Sequence, residues 1–141
     1  MNAMHHADLL EIAPWLETQP FFLLGSASAA GDCDCSYRGR ETAGPPEPLL
    51  KVVGPQQLVF PDYPGNNLLN TLGNLLERPE VSMLFVDFAR QSTLQIQGGC
   101  CIEAPDASLR AIWPMAPRVL RVEVTAIEQA SVAGLPHLVL A

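Results

Sequence analysis

The stretch from Leu58 to Val81 constrains the fold of this chain more than any other. A short apolar run, Leu58-Val59-Phe60, ends in the turn cluster Pro61-Asp62-Tyr63-Pro64-Gly65, and the hydrophobic spacing then becomes helical. Leu68, Leu69, Leu72, Leu75 and Leu76 fall on one stripe, with Asn70, Thr71, Asn74 and Glu77 opposite. Asn66 or Asn67 is suited to cap this helix, and Pro79 stops it. A strand that turns through Pro, Gly and Asn into a helix leaves free backbone N–H groups at the positive end of the helix dipole, where a phosphate can sit. Purely structural strand–turn–helix units have the same pattern, so this stretch alone leaves both readings open.

The flanking sequence reads mostly as strands joined by hairpins. Leu9, Ile12, Ala13 and Leu16 predict a helix over about residues 7–18, kinked or restarted at Pro14. Phe21 to about Ala27 reads as a buried strand. After the turn Ser28–Gly31, Cys33, Cys35 and Tyr37 alternate with Asp32, Asp34, Ser36 and Arg38, which puts Arg38 on a polar face beside Ser36. A loop rich in Pro and Gly, 39–48, leads to a strand Leu49–Val53, then a hairpin into Leu58–Phe60. Val81–Phe88 is a near-continuous apolar strand. In the next one, Leu94, Ile96, Cys100 and Ile102 face inward, and Gly98-Gly99 predicts a bulge or bend that lets a sheet curl. Asp106 caps a short helix over 107–113, and Leu120, Val122, Val124 and Ala126 mark a last half-buried strand; 131–141 have no assignment. No βαβ rhythm repeats. Six or seven strands with two or three short helices predict a mainly β, antiparallel barrel with peripheral helices.

Composition narrows the function. At 141 residues the chain is expected to form a single domain, 1–141, with one core. A formal net charge of -7 disfavours a nucleic-acid partner, because phosphate neutralisation needs a basic excess. No apolar run approaches a membrane span and no signal-peptide pattern opens the chain, so no membrane partner and a cytoplasmic location are expected. Cys33 and Cys35 are two apart, and Cys100 and Cys101 adjacent; neither spacing is that of a zinc knuckle. The expectation is reduced, mostly buried thiols and no metal. His5, His6 and His137 are all terminal, and no nucleophile elbow, Walker A loop or His-Glu-x-x-His is present.

In motif order the chain resembles the pyridoxamine 5'-phosphate oxidase-like family of FMN-binding split β-barrels. The likeness runs from Phe21 to about Val124. It is most specific over Leu58–Cys101, in Phe-Pro-Asp-Tyr, Pro-Gly-Asn-Asn, Leu-Gly-Asn-Leu-Leu, Arg-Pro-Glu-Val-Ser-Met-Leu-Phe and a strand entering Gly98, and extends to Gly31–Gly39. The resemblance implies a six-stranded antiparallel split barrel, a homodimer, and FMN held in clefts at the subunit interface. Deazaflavin or haem, which related barrels accept, and no cofactor at all are the alternatives. The resemblance places Arg38, Lys51, Gly65, Asn66 and Asn67 at the phosphate, and Pro61, Asp62, Tyr63 and Thr93 against the ribityl chain and ring.

Several positions depart from the family pattern. Where the oxidase carries Arg-x-x-Leu-Leu-Lys, this chain has Pro46-Glu47-Pro48-Leu49-Leu50-Lys51, keeping only the lysine. Where the oxidase has Ser-Arg-Lys at the helix start, it has Gly65-Asn66-Asn67, which removes two fixed cations from a dianion. A charge-assisted hydrogen bond is worth about 1.5–3 kcal/mol, so the exchange weakens a phosphate site substantially. The oxidase's C-terminal Arg-x-His is also missing, since Leu135 stands two residues before His137. The expected function is an FMN-dependent oxidoreductase acting on a small molecule other than pyridoxamine phosphate, with no catalytic acid or base assigned. A non-enzymatic flavin-binding or electron-handling module and a cofactor-free dimerisation barrel are the alternatives.

Overall fold

The computed structural model describes residues 2–4, 9–40, 47–63 and 68–135. Its elements are β1 (Asn2–Met4), α1 (Leu9–Glu17), β2 (Phe21–Ala27), β3 (Cys33–Gly39), β4 (Lys51–Gly54), β5 (Gln57–Asp62), α2 (Leu68–Glu77), β6 (Glu80–Asp87), β7 (Ser92–Glu103), α3 (Ala107–Ile112) and β8 (Arg118–Ser131). The strands form one antiparallel sheet in the order β3-β2-β6-β7-β8-β5-β4, with β1 pairing on β8. The mainly β, antiparallel architecture with three helices is the one expected. Strand β1 is an addition, in a tail too short for periodicity to mark.

The sheet curls without closing. Its end strands, β3 and β4, share no ladder among the described residues. Phe22 of β2 and Phe60 of β5 are four strands apart in that order, about 19 Å at the usual spacing. Their rings nevertheless meet edge-on with centroids 5.1 Å apart. Leu24, Met83, Phe85, Ile96, Leu120 and Val122 fill the same interior. Helix α1 covers one part of it with Leu9 and Leu16, and Trp15 packs on Phe85 at 6.1 Å. Pro14 lies inside α1, which continues through it; the Thr18 hydroxyl and Gln19 amide then donate to the Trp15 carbonyl and close the helix. In α2, Leu75 is buried whereas Leu76, expected on the same stripe, is 82% exposed.

Curvature is concentrated where β7 meets β8. Gln97 pairs with Ala126 but Gly98 with Val124, so Thr125 is an extra residue on β8. The glycines mark the bend, yet the bulged residue belongs to the opposite strand. This explains why β7 keeps its alternation (Leu94, Ile96, Gly98 and Cys100 all buried), while β8 changes inward parity from Val124 to Ile127. Gly98 is required by close approach: a Cβ there would lie 2.2 Å from the Glu123 carbonyl oxygen.

Two faces differ from expectation. On β3, Cys33, Cys35 and Tyr37 are exposed, whereas Ser36 is buried and Arg38 turns inward. The polar residues face the interior because they meet partners there. Consequently the thiols are not mostly buried: Cys33, Cys35 and Cys101 are exposed and only Cys100 is inside. Outside the barrel, Val59, Leu109, Trp113, Ala116 and Val119 form a second small core under α3. The Trp113 indole N–H donates to the Pro48 carbonyl at 3.0 Å, fixing the segment that enters β4. Asp106 caps α3, and the Leu109 N–H and Ser108 hydroxyl hold its carboxyl below the usual range.

Gly98→Ala tests the close approach. Its methyl meets backbone rather than a movable side chain, so destabilisation of about 3 kcal/mol is expected in urea unfolding, against a small effect for Gly99→Ala.

Candidate functional site

The end of β5, from which the chain passes toward α2, carries a buried charge cluster. Asp62 is the last residue of β5, pairs in the ladder with Arg118, and is fully buried. Its Oδ1 accepts from Arg38 Nη1 at 2.6 Å, and its Oδ2 from Arg118 Nε at 3.1 Å. Arg38 Nε also donates to Ser36 Oγ at 3.3 Å. Two guanidinium groups face one carboxylate, which leaves one net positive charge. Arg38 Nη2 is buried without a hydrogen-bond partner among the described residues, and the Arg118 side chain is 36% exposed. A buried N–H donor on a cationic group is costly unless an acceptor meets it. This arrangement is therefore suited to an anionic group with hydrogen-bonding oxygens.

The structure brings some of the predicted site residues together and separates others. Arg38 and Asp62 are in direct contact, and Pro61 adjoins them, half-buried and paired with Val119. The Tyr63 hydroxyl donates to Glu47 Oε1 at 2.5 Å, and its ring packs on the second core. Lys51, next strand over, pairs with Val59; its side chain is 46% exposed and its Nζ lies 3.7 Å from Glu17 Oε1. That loose, solvated pair leaves the ammonium free to take another partner. Glu17 Oε2 is itself held by the Val52 N–H at 3.0 Å. Thr93 stands far off: Lys51 is linked through Val59 to Arg121 on β8, whereas Thr93 pairs with Ala130. The two rows are nine residue steps apart along β8, about 30 Å of strand. Gly65, Asn66 and Asn67 lie outside the described residues.

Two features were not anticipated. Arg118 opens the last strand, two residues before the alternation that begins at Leu120, and the ladder reveals it as a partner of Asp62. The second is a groove of about 870 Å³ at the other end of β2 and β3, where Ser26, Asp34, Ser82 and the Gly98–Thr125 bulge meet the end of α2. Among the described residues, none of the predicted cofactor residues lines it. Cys100 lies between the two regions. Burial pushes its thiol up to about 12; Cys101 and Asp62 add to the rise and Arg38 opposes it.

Comparison with known proteins places these features in context. The family model described as pyridoxamine 5'-phosphate oxidase matches residues 10–139. No curated protein sequence matches the chain. Among solved structures, HupZ of Group A Streptococcus is similar over 90% of this chain and 96% of its own, at 16% identity and a TM-score of 0.63. A pyridoxamine 5'-phosphate oxidase-related, FMN-binding protein of Nostoc punctiforme is similar over 92% and 83%, at 11% identity and 0.58. HutZ, the haem storage protein of Vibrio cholerae, is similar over 86% and 92%, at 14% identity and 0.55. At these identities the structural likeness speaks for the fold.

Asp62→Ala leaves two arginines without their buried counter-charge, so a loss of about 3–5 kcal/mol is expected in denaturant unfolding. Adding Arg38→Met should recover part of it. In native protein at pH 8, iodoacetamide should label Cys33, Cys35 and Cys101, and Cys100 only after unfolding, as mass spectrometry of the peptides would show.

Proposed function

The chain belongs to the pyridoxamine 5'-phosphate oxidase family, and from that premise we propose that it is an FMN-dependent oxidoreductase. The reading places FMN, non-covalently, between two copies of the chain, with a small-molecule substrate other than pyridoxamine phosphate. The observation that carries it is the Arg38–Asp62–Arg118 cluster, with its surplus positive charge and unmatched Arg38 Nη2 where β5 leads toward α2. Those residues fit a phosphate. Arg38 and Lys51 would hold it, with Asn66, Asn67 and the backbone at Gly65 beside it. Asp62 would act by fixing Arg38 in place rather than by touching the cofactor. Pro61 and Tyr63 would flank the ribityl chain.

FMN, when bound, supplies hydride or electron transfer at flavin N5. The chain's own residues then need only bind, orient and shield it, and none is assigned as an acid or base. The separation of Lys51 from Thr93 supports a homodimer. A flavin that meets both would have to draw them from different copies, because about 30 Å of β8 lies between their rows. No helix among the described residues is long and apolar enough to cross a membrane, and a cytoplasmic location belongs to the same proposal.

A second reading, a flavin-binding or electron-handling module without turnover, is favoured by the exchange of two cations for Asn66 and Asn67. Haem is the alternative occupant, since HutZ, a haem storage protein, is similar in fold.

Titration with FMN should quench flavin fluorescence at micromolar protein. Lys51→Ala should weaken FMN about tenfold or more while leaving riboflavin binding unchanged. No quenching would overturn the cofactor, and equal effects on FMN and riboflavin would overturn the phosphate role. Given bound FMN, anaerobic reduction by NADH or NADPH separates the enzyme from the module.

A further inference from the structure

We propose that the groove at the end of β2 and β3 is a second ligand site, one that takes an organic cation with an apolar body. Its volume, about 870 Å³, is in the range that holds small organic molecules. Asp34 lines it, and Asp34 Oδ2 is one of two buried side-chain polar atoms without a hydrogen-bond partner among the described residues. The other is Arg38 Nη2, already assigned. A buried carboxylate oxygen left unmatched selects for a donor, and most strongly for a charged one.

The charges lining the groove are net negative among the described residues. Glu80 adds a second carboxylate, and Arg78 is the one basic residue among the described residues lining the groove. Arg78 follows the C-terminus of α2, so the last carbonyls of that ten-residue helix turn their negative dipole end toward the same region. The neighbouring hydroxyls are already engaged: Ser26 Oγ accepts from Asn74 Nδ2 at 3.2 Å, and Ser82 Oγ from Gln95 Nε2 at 2.9 Å. Asp34 is thus the free anchor. Gly25, Ala27 and Val81 supply apolar wall, and Cys33 and Cys35 line the groove as exposed thiols. A protonated amine on a hydrocarbon or aromatic body matches this lining; a phosphate or carboxylate does not.

The test uses 2-phenylethylamine and its neutral analogue 2-phenylethanol, titrated into the full chain by calorimetry. The amine should bind, and the alcohol at least about tenfold more weakly, the size of a charge-assisted contact. Asp34→Asn should cut amine affinity by a similar factor, whereas Arg78→Gln, which removes an exposed like charge, should raise it. The amine should also slow alkylation of Cys33 and Cys35 but not of Cys101. No amine binding, equal binding of amine and alcohol, or amine affinity unchanged in Asp34→Asn would each overturn the site. If Asp34→Asn does not keep the wild-type melting curve, the alcohol comparison and Arg78→Gln decide. Among the described residues the groove shares none with the proposed FMN site, so these results stand whether or not FMN binds.

Discussion

One carboxylate joins the two ends of this sheet. Asp62 is on β5, near one end of the strand order, and Arg38 on β3 at the other. No ladder connects them among the described residues, so the Arg38–Asp62 ion pair bridges the seam where backbone hydrogen bonds stop. Its energetics are those of a buried pair: two desolvated charges gain little over an apolar contact, yet removal of either is expensive. Arg118 adds a second contact from the neighbouring strand and leaves the group positive. The same cluster therefore holds the curled sheet together and carries the charge that the proposed function uses. A purely apolar seam would serve the first purpose and not the second.

Behind the seam, packing fixes the geometry. The Phe22–Phe60 contact draws strands from opposite sides of the sheet order into one interior. The small core under α3 works from outside. Trp113 grips Pro48, the residue after Glu47, and Glu47 accepts from Tyr63. The loop entering β4 and the segment leaving β5 are thereby tied to each other, which sets Lys51 and Tyr63 relative to the charge cluster. α1 contributes from the opposite direction, since the Glu17 carboxylate holds the backbone of β4 at Val52.

Much of this was legible in the sequence, and the misses have physical causes. Strand and helix positions followed from periodicity, because a period of two or 3.6 leaves a direct mark in the order of residues. Which face turns inward followed on β7 but not on β3. Cys33, Cys35 and Tyr37 look like the buried side of β3 on hydrophobicity alone, yet the inward side is Asp34, Ser36 and Arg38. Their partners, Asp62 for Arg38 above all, come from strands remote in the chain. Arg118 and the groove were invisible for the same reason: both are products of pairing and curvature. The family resemblance reached further than periodicity, naming Arg38 and Asp62, which the structure brings into contact. It could not show that Asp62 faces inward as a counter-charge.

The extra residue in β8 has a consequence for how such a sheet can change over time. Removing Thr125 would leave Val124 and Ile127 separated by one residue, restoring plain alternation with both still inward. The strand can thus lose a residue without exposing its core side chains. What would go is the local bend, and with it the groove wall that Thr125 and Gly98 form together. Curl and cavity rest on a single inserted position, so one deletion would alter both at once while the hydrophobic pattern of the chain scarcely changed.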